Sequence, residues 1–278
     1  MKPPLLEVED LHVRFPLAEG MLEAVRGVSF TLGHERLGIV GESGSGKSQT
    51  GRAILGLTAK PGIVTAKRLA FDGIDLMEAP PRLRRSLRGS RMTMVMQDPS
   101  YSLNPVMTVG QQIVEAYRAH KRVSQAEARE AARAMLDAVK ISQPDRVMAL
   151  YPHEVSGGMG QRVMIAMMLI TGPDLLIADE PTSALDVTVR IEVLRILDQL
   201  VAERGMGLIL ISHDLEMVAS FCDRILVMYA GRIVEGLSSG NLDQAKHPYT
   251  RGLMGCVPKL SGDRHPLPVL TRDPDWAR

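Results

Sequence analysis

The chain has 278 residues, of which 45% are hydrophobic and 23% are charged, so it has the composition of an ordinary globular protein and not of a disordered one. It is long enough for one large α/β domain or two small ones. Lysine and arginine number 33 against 32 acidic residues, and the net charge of +1 argues weakly against a protein that coats nucleic acid.

Two cysteines, Cys222 and Cys256, are too few for a disulfide framework or a four-cysteine metal site. The segment Met1–Asp10 has no apolar core of signal-peptide length. The longest apolar run, around Val163–Leu169, falls far short of the ~20 residues that span a bilayer. We therefore expect a cytoplasmic chain. If it serves a membrane process, other subunits must supply the membrane-spanning helices.

The first two predicted elements are strands. Leu5–Phe15 and Ala24–Leu32 partly alternate between apolar and polar residues, which indicates half-exposed antiparallel strands. Phe15 lies at the end of the first of these. Its ring could stack on an adenine face, or it could be an ordinary core or edge residue, and the sequence favours neither.

The next stretch carries the strongest motif of the chain. An apolar strand, Leu37–Val40, is followed by G-E-S-G-S-G-K-S and then by a predicted helix, Gln49–Leu57. This is the context that the phosphate loop G-x-x-x-x-G-K-[ST] requires. The loop consists of Gly41, Glu42, Ser43, Gly44, Ser45, Gly46, Lys47 and Ser48.

Each part of this loop suits a nucleotide. The glycines let consecutive N–H groups point at one phosphate, and the helix adds its positive end. Lys47 can reach the β- and γ-phosphates, and the Ser48 hydroxyl can bind Mg²⁺. A glycine-rich turn that matches by chance is the alternative, and the later motifs argue against it.

The remainder of the chain alternates strands and helices. Ser124 and Glu127 predict a capping box at the start of a helix that runs to about Lys140. A basic segment, Pro80–Arg88, is interpreted as a solvated face, with a contact to an acidic partner or to lipid headgroups as the alternative. Strands are expected at Arg68–Gly73, Arg91–Met96, Leu175–Ala178, Gly207–Ile211, Arg224–Tyr229 and Arg232–Glu235, and further helices at Val109–His120, Gly157–Leu169, Val187–Glu203 and Leu215–Phe221. The last two strands are expected to form a hairpin that turns at Ala230 and Gly231. Apolar strands separated by helices predict an α/β fold with a mainly parallel sheet covered on both faces.

Polar side chains follow the predicted strands, where ligands of open α/β sheets bind. Asp179 can hold Mg²⁺ directly or through water, and Glu180 can orient or deprotonate an attacking water. Gln97 can bridge Mg²⁺ or water to the rest of the protein. His213 could contact a γ-phosphate, although by itself it would be interpreted as a surface residue in a helix cap.

A second anion site is predicted where Ser156, Gly157 and Gly158 open a helix. This segment brings no lysine and no magnesium ligand of its own. We therefore interpret it as one half of an anion-binding site whose other half lies elsewhere.

In this order the motifs resemble those of the ATPase subunits of ABC transporters. Gly41–Ser48 resembles the Walker A loop, Gln97 the Q-loop, Ser156–Gln161 the signature motif and Leu175–Glu180 Walker B. Ser183–Asp186 resembles the D-loop and His213 the switch histidine. The resemblance covers residues 5 to 256.

Narrower segments resemble the importers of dipeptides, oligopeptides and nickel chelates. They are Gln97–Pro99, Ser102–Pro105, Tyr151–Glu154 and His247–Thr250.

The resemblance implies a P-loop ATPase domain at residues 1–240, with an antiparallel β subdomain and a helical subdomain at about 98–173. Residues 241–278 would form a short C-terminal extension of the peptide-importer type. It implies ATP and Mg²⁺ as ligands, with Gln49, Gln161 and Asp186 added to the nucleotide-contacting residues. It also implies a head-to-tail ATPase dimer in which the Ser156 helix of one subunit completes the partner's ATP site.

The implied partners are two transmembrane permeases, a second and often non-identical ATPase, and a periplasmic or extracellular substrate-binding protein, with no nucleic acid. The implied place is the cytoplasmic face of a bacterial plasma membrane. The transported substrate, a peptide or a metal chelate, is not encoded in this chain.

Two departures from the family pattern stand out. Gly160 occupies a position where relatives usually carry a long polar or basic side chain, so we expect Gly160→Arg to raise the ATPase activity of the assembled complex. Many relatives also have a cysteine-rich stretch after the His-Pro-Tyr segment. The present chain has none, so we expect no iron–sulfur cluster.

Two other functions are weighed against import. A soluble ABC-type ATPase acting on nucleic acid or ribosomes typically carries two ATPase domains, coiled-coil inserts or a basic arm, and none is visible here. An ABC exporter subunit is disfavoured by the Tyr151–Glu154 and His247–Thr250 segments.

Overall fold

The computed structural model describes residues 3–97, 102–182 and 185–256, together with Asp273 and Trp276. The strands are β1 (Leu6–Leu17), β2 (Gly20–Leu32), β3 (Arg36–Val40), β4 (Ile63–Thr65), β5 (Arg68–Phe71), β6 (Ile74–Asp75), β7 (Met92–Val95), β8 (Leu175–Asp179), β9 (Gly207–Ser212), β10 (Arg224–Tyr229) and β11 (Arg232–Ser238). The helices are α1 (Lys47–Ile54), α2 (Pro81–Leu87), α3 (Val109–Arg118), α4 (Gln125–Ala138), α5 (Pro144–Met148), α6 (Gly157–Leu169), α7 (Val187–Arg204), α8 (Leu215–Phe221) and α9 (Pro248–Gly255), with 3-10 turns at Pro152–Glu154 and Ser239–Gln244.

The chain divides into two compact units. The first comprises Met1–Glu78 with Leu210–Arg278, and the second comprises Ala79–Ile209. Strand β9 is buried along its whole length and carries the chain from the second unit back into the first.

An antiparallel sheet in the first unit has the order β2-β1-β5-β6, and β4 also pairs with β1. Leu6 and Val8 are buried, as are Leu11 and Val13, and the pairing register shifts between Val8 and Leu11, which interrupts the alternation. This agrees with the partial alternation that the sequence predicts. The pairing confirms the two antiparallel strands. Strand β2 starts earlier than predicted, at Gly20, because the hairpin turns directly between Leu17 and Gly20.

The parallel part of the first unit surrounds β3. Strand β10 pairs in parallel with β3 and in antiparallel with β11, so the predicted hairpin at Ala230 and Gly231 is confirmed. Helix α8 packs closely on β3, because a Cβ at Gly38 would lie 2.1 Å from Val218 Cγ1. Helix α1 was predicted at Gln49–Leu57 but spans Lys47–Ile54, because Gly56 turns the backbone at φ 63° and ends it.

The second unit contains a parallel strand pair and a group of helices. Strands β7 and β8 pair from Met92 opposite Leu175 to Val95 opposite Ala178. Helices α3, α4 and α6 pack on one another. The predicted capping box of α4 is present, since the Glu127 N–H donates to the Ser124 hydroxyl and the Ser124 N–H donates to the Glu127 carboxylate.

Four short elements of the structure were not predicted from the sequence. These are α2, α5, β4 and β6, each of at most seven residues. Periodicity is hard to recognise over so few residues. In the described ranges, no helix combines the length and the apolar character that a bilayer crossing needs.

Candidate nucleotide-binding site

The loop Gly41–Ser48 joins β3 to α1, as the sequence predicts. Two of its glycines are required by close backbone approach. A Cβ at Gly41, where φ is 154°, would lie 2.1 Å from the carbonyl oxygen of Met228. At Gly46, with φ 98°, it would lie 2.4 Å from the carbonyl oxygen of Ala24. The loop can therefore keep its course only without side chains at these positions.

Hydrogen bonds from distant parts of the first unit hold the loop. The Gly231 N–H donates to the carbonyl oxygen of Ser45 at 3.0 Å, and the Arg26 N–H donates to the carbonyl oxygen of Gly231 at 2.8 Å. The Glu42 N–H donates to the hydroxyl oxygen of Tyr249 at 2.9 Å. The β10–β11 turn and helix α9 thus support two different points of the phosphate loop.

The Lys47 side chain lies over the loop and is 6% exposed. Its ammonium donates to the carbonyl oxygens of Gly41 at 2.7 Å and Glu42 at 2.8 Å, and to the Ser45 hydroxyl at 3.3 Å. A buried positive charge beside the N-terminal end of α1 strongly favours an anion in the same place. The loop is therefore suited to phosphate groups.

The remaining predicted nucleotide contacts of the first unit lie in or near this loop. Ser48 and Gln49 are half-buried in the first turn of α1, and the Gln49 Oε1 atom is buried without a hydrogen-bond partner among the described residues. Ser43 is exposed. Phe15 lies on β1, and its Cε1 atom is 2.7 Å from where a Cβ of Gly62 would stand, so the ring packs against glycine backbone.

His213 also belongs to the first unit. It follows β9 directly and is exposed. The helix cap expected in the alternative interpretation of His213 is present, because the Asp214 carboxylate accepts a hydrogen bond from the Met217 N–H and the Ser212 hydroxyl accepts one from the Asp214 N–H. The cap fixes the turn that carries the imidazole.

In the second unit, two adjacent parallel strands bring the predicted metal and catalytic side chains to one edge. Asp179 ends β8 and is 4% exposed, and Gln97 follows the end of β7 as an exposed residue. Glu180 has a left-handed backbone with φ 50°, which is uncommon for a residue other than glycine. Such a backbone conformation is held only where the surrounding structure fixes it, and it is found most often at functional sites.

The segment after Gln97 and part of the D-loop motif lie outside the described residues, namely residues 98–101 and Ser183 with Ala184. Asp186 lies at the end of that motif and is exposed. Its carboxylate accepts a hydrogen bond from the Val189 N–H at 3.0 Å, so it caps helix α7. Its predicted contribution to nucleotide binding stays a prediction.

The predicted second anion site begins helix α6. The Ser156 hydroxyl accepts a hydrogen bond from the Met159 N–H, which caps the helix, and Gly157 has open space around it. At Gly158 a Cβ would lie 2.7 Å from Val189 Cγ1, so α6 and α7 approach closely here. Gly160 is buried, and Gln161 is 2% exposed with its Nε2 atom unpaired among the described residues.

Two supports of the loop, Gly231 and Tyr249, were not predicted from the sequence. Gly231 was recognised only as a turn residue. Tyr249 was noted only as part of the His247–Thr250 resemblance. No pattern in the sequence identifies its partner; only the structure shows that Tyr249 is 0% exposed, and a buried tyrosine hydroxyl normally finds a hydrogen-bond partner.

A glycine-rich loop that joins a parallel strand to a helix and carries a buried lysine defines a nucleotide-binding fold with a phosphate-binding loop. Comparison with known proteins then identifies the class. The family model described as ABC transporter matches residues 25–183. The chain is 47% identical over 272 residues to the oligopeptide transport ATP-binding protein OppD of Salmonella typhimurium, covering 97% of this chain and 81% of the relative. It is 46% identical over 262 residues to the dipeptide transport ATP-binding protein DppD of Bacillus subtilis, covering 92% and 77%.

Solved structures agree with this assignment. The dimeric bacterial ABC transporter cassette MJ0796 matches with a TM-score of 0.76 and 25% identity, over 84% of this chain and 98% of that one. The same cassette has been solved in a post-hydrolysis state bound to ADP and Pi, with the same TM-score and coverage. The present chain belongs to the ABC transporter family and is an ATP-binding, ATP-hydrolysing member of it. The predicted fold class is confirmed.

Proposed function

We propose that this chain is the ATP-hydrolysing subunit of an importer for peptides. The observation that carries the proposal is the 45–50% identity, over 92–98% of the chain, to proteins named for oligopeptide, dipeptide or peptide transport. The phosphate loop supplies the chemistry that such a subunit needs. No observation favours the alternative of an ATPase acting on nucleic acid or ribosomes.

In the proposed site, the loop from Gly41 to Ser48 holds the phosphates of ATP, and the Lys47 ammonium neutralises part of their charge. Phe15 stacks on the adenine. A head-to-tail dimer completes the site, with the Ser156 helix of one subunit facing the phosphates bound by the other. The capped, positive start of α6 supports this second role.

The available donors fit Mg²⁺, because the Ser48 hydroxyl, the Asp179 carboxylate and the Gln97 amide oxygen are the hard oxygen ligands that this ion prefers. Mg²⁺ held by these residues would supply charge neutralisation to the phosphates during phosphoryl transfer. Glu180 orients the attacking water and accepts its proton, and His213 contacts the γ-phosphate.

The proposed partners are two permeases, a second ATPase and a substrate-binding protein, and the proposed place is the cytoplasmic face of the plasma membrane. Closure of the ATPase dimer moves the helical segment at about 98–173, and the Gln97 region passes that movement to a permease. Substrate selection lies with the permeases and the binding protein.

Purification of the tagged chain from its native membranes in mild detergent tests the assembly. We expect two multi-spanning proteins and a second, non-identical ATPase, identified by mass spectrometry. The purified assembly in vesicles should import short peptides only when ATP is present. Recovery with ribosomes or nucleic acid, or vesicle transport of a metal chelate and no peptide, would contradict the proposal.

The proposed role of Glu180 has its own test. Glu180→Gln should lower the ATPase rate of the assembled complex by about 10² to 10⁴, the range a general base contributes, while the Kd for Mg-ATP changes little. Glu203→Gln, on the exposed side of α7, is the matched control and should keep full activity. Equal rates for the two variants would remove Glu180 from the proposed mechanism.

A further inference from the structure

We propose that Tyr249 is a positioning residue for ATP binding, because its hydroxyl fixes the phosphate loop through the Glu42 N–H. The inference rests on the proposed function, since it concerns how well the loop receives nucleotide. It assigns helix α9 a direct part in the nucleotide site.

The first observation is the contact itself. Tyr249 is 0% exposed, and its hydroxyl oxygen accepts a hydrogen bond from the Glu42 N–H at 2.9 Å. The two residues are 207 positions apart in the sequence. Tyr249 is fully buried and Glu42 is half-buried, so this hydrogen bond is partly shielded from water and constrains both groups.

The second observation is how firmly α9 is held, because a support must itself be rigid. The Glu235 carboxylate on β11 accepts hydrogen bonds from the N–H groups of Lys246 at 2.6 Å and His247 at 3.2 Å. The His247 Nδ1 atom accepts a hydrogen bond from the Tyr249 N–H at 3.2 Å and caps the helix. The start of α9 is thereby tied to the sheet.

The third observation is an aromatic cluster around the tyrosine. The Tyr249 ring lies 4.6 Å from the Tyr229 ring and 6.0 Å from the Trp276 ring, centroid to centroid. Tyr229 ends β10, and two residues later Gly231 donates its N–H to the Ser45 carbonyl of the loop. The rings of Tyr229 and Trp276 thus hold the Tyr249 ring in place, whereas the contact at Ser45 comes from the Gly231 backbone in the turn after β10.

The consequence concerns the conformation of the loop. The Glu42 carbonyl accepts from the Lys47 ammonium while its N–H points to Tyr249. The Tyr249 hydroxyl thus fixes the peptide unit that contains the Glu42 N–H. The next peptide unit contains the Glu42 carbonyl, which orients the Lys47 ammonium. Without it the loop samples other orientations, and the apparent affinity for nucleotide falls with the fraction of loops that stay competent.

The test compares Tyr249→Phe with the matched control Tyr229→Phe in the full-length chain. Each removes one hydroxyl and keeps the ring, so the cluster is preserved. We expect Tyr249→Phe to raise the Kd for Mg-ATP about tenfold, which corresponds to about 1.4 kcal/mol. In the assembled complex the KM for ATP should rise similarly with kcat within about twofold, the pattern of lost uniform binding. Tyr229→Phe should bind as the wild type does.

A second readout addresses the contact without nucleotide. Hydrogen exchange at the Glu42 amide should speed up at least about tenfold in Tyr249→Phe, while the amides of β3 exchange as before. Unchanged Glu42 exchange, or unchanged Mg-ATP affinity in Tyr249→Phe, would overturn the inference. A wild-type chain that binds no Mg-ATP would instead overturn the proposed function, and with it the claim about affinity.

Discussion

The phosphate loop offers a matched pair of substitutions that separates backbone strain from steric conflict. Gly44 and Gly46 both have positive φ, at 84° and 98°. A Cβ at Gly44 meets nothing within 4 Å, whereas at Gly46 it would lie 2.4 Å from the backbone carbonyl oxygen of Ala24. Alanine at either position imposes strain, but only at Gly46 must the backbone also move.

The expected magnitudes follow from these two terms. A non-glycine residue in the left-handed region costs about 1–2 kcal/mol, and this applies to both variants. At Gly46 the distance from the Cβ to the Ala24 carbonyl oxygen must increase by at least 0.6 Å to reach 3.0 Å. Overpacking of this kind costs about 1–3 kcal/mol more. Taking about 2 kcal/mol as the difference, Gly46→Ala should melt at least about 4 °C below Gly44→Ala.

The assay is thermal unfolding of the nucleotide-free chain, followed by circular dichroism. Nucleotide is left out so that the position of a bound phosphate cannot contribute to the difference. The melting temperatures of the wild type and the two alanine variants are compared under one buffer condition. Equal losses for the two variants would show that the loop moves away from Ala24 at no cost, and the structural explanation of Gly46 would be wrong.

Two further predictions concern groups with shifted pKa values. Burial raises the pKa of the Cys222 thiol to about 12. Iodoacetamide at pH 8 should therefore label Cys256 and leave Cys222 unmodified until the chain is unfolded. Equal labelling of the two cysteines in the native chain would contradict this prediction. Burial acts to raise the pKa of the Glu235 carboxyl, but the Thr250 hydroxyl and two backbone N–H groups before α9 outweigh it, so the pKa lies below its ordinary value. A lowered pKa stabilises the fold above the ordinary glutamate value of about 4.3, and this contribution is lost as the pH falls through the lowered pKa. As the pH is lowered through that range, the fluorescence emission of Trp276, the single tryptophan, should therefore change before the far-ultraviolet circular dichroism does. Glu235→Gln should abolish this early change. Coincident fluorescence and dichroism transitions in the wild type would refute the prediction.

Periodicity and motif order were sufficient to predict most of the fold. The alternation in β1 and the uninterrupted apolar run of β9 come from burial on one face and on both faces, which a sequence displays directly. The Gly41–Ser48 loop was predictable because its glycines let the backbone N–H groups point at a phosphate, a purpose that few other structures share. Helix α1 was placed two residues late because the phosphate motif and the helix overlap at Lys47 and Ser48.

What the sequence could not supply is the set of contacts that hold the loop. The Glu42 N–H meets a hydroxyl 207 positions away, and the Ser45 carbonyl meets the turn between β10 and β11. Such pairings depend on how β10 lies beside β3, and no local pattern at residue 249 specifies a partner at residue 42. A catalytic motif can be recognised from its own residues, whereas its rigidity comes from residues that the fold brings into contact with it. Residues of the second kind, such as Tyr249, are therefore the ones that a structure adds to a family assignment.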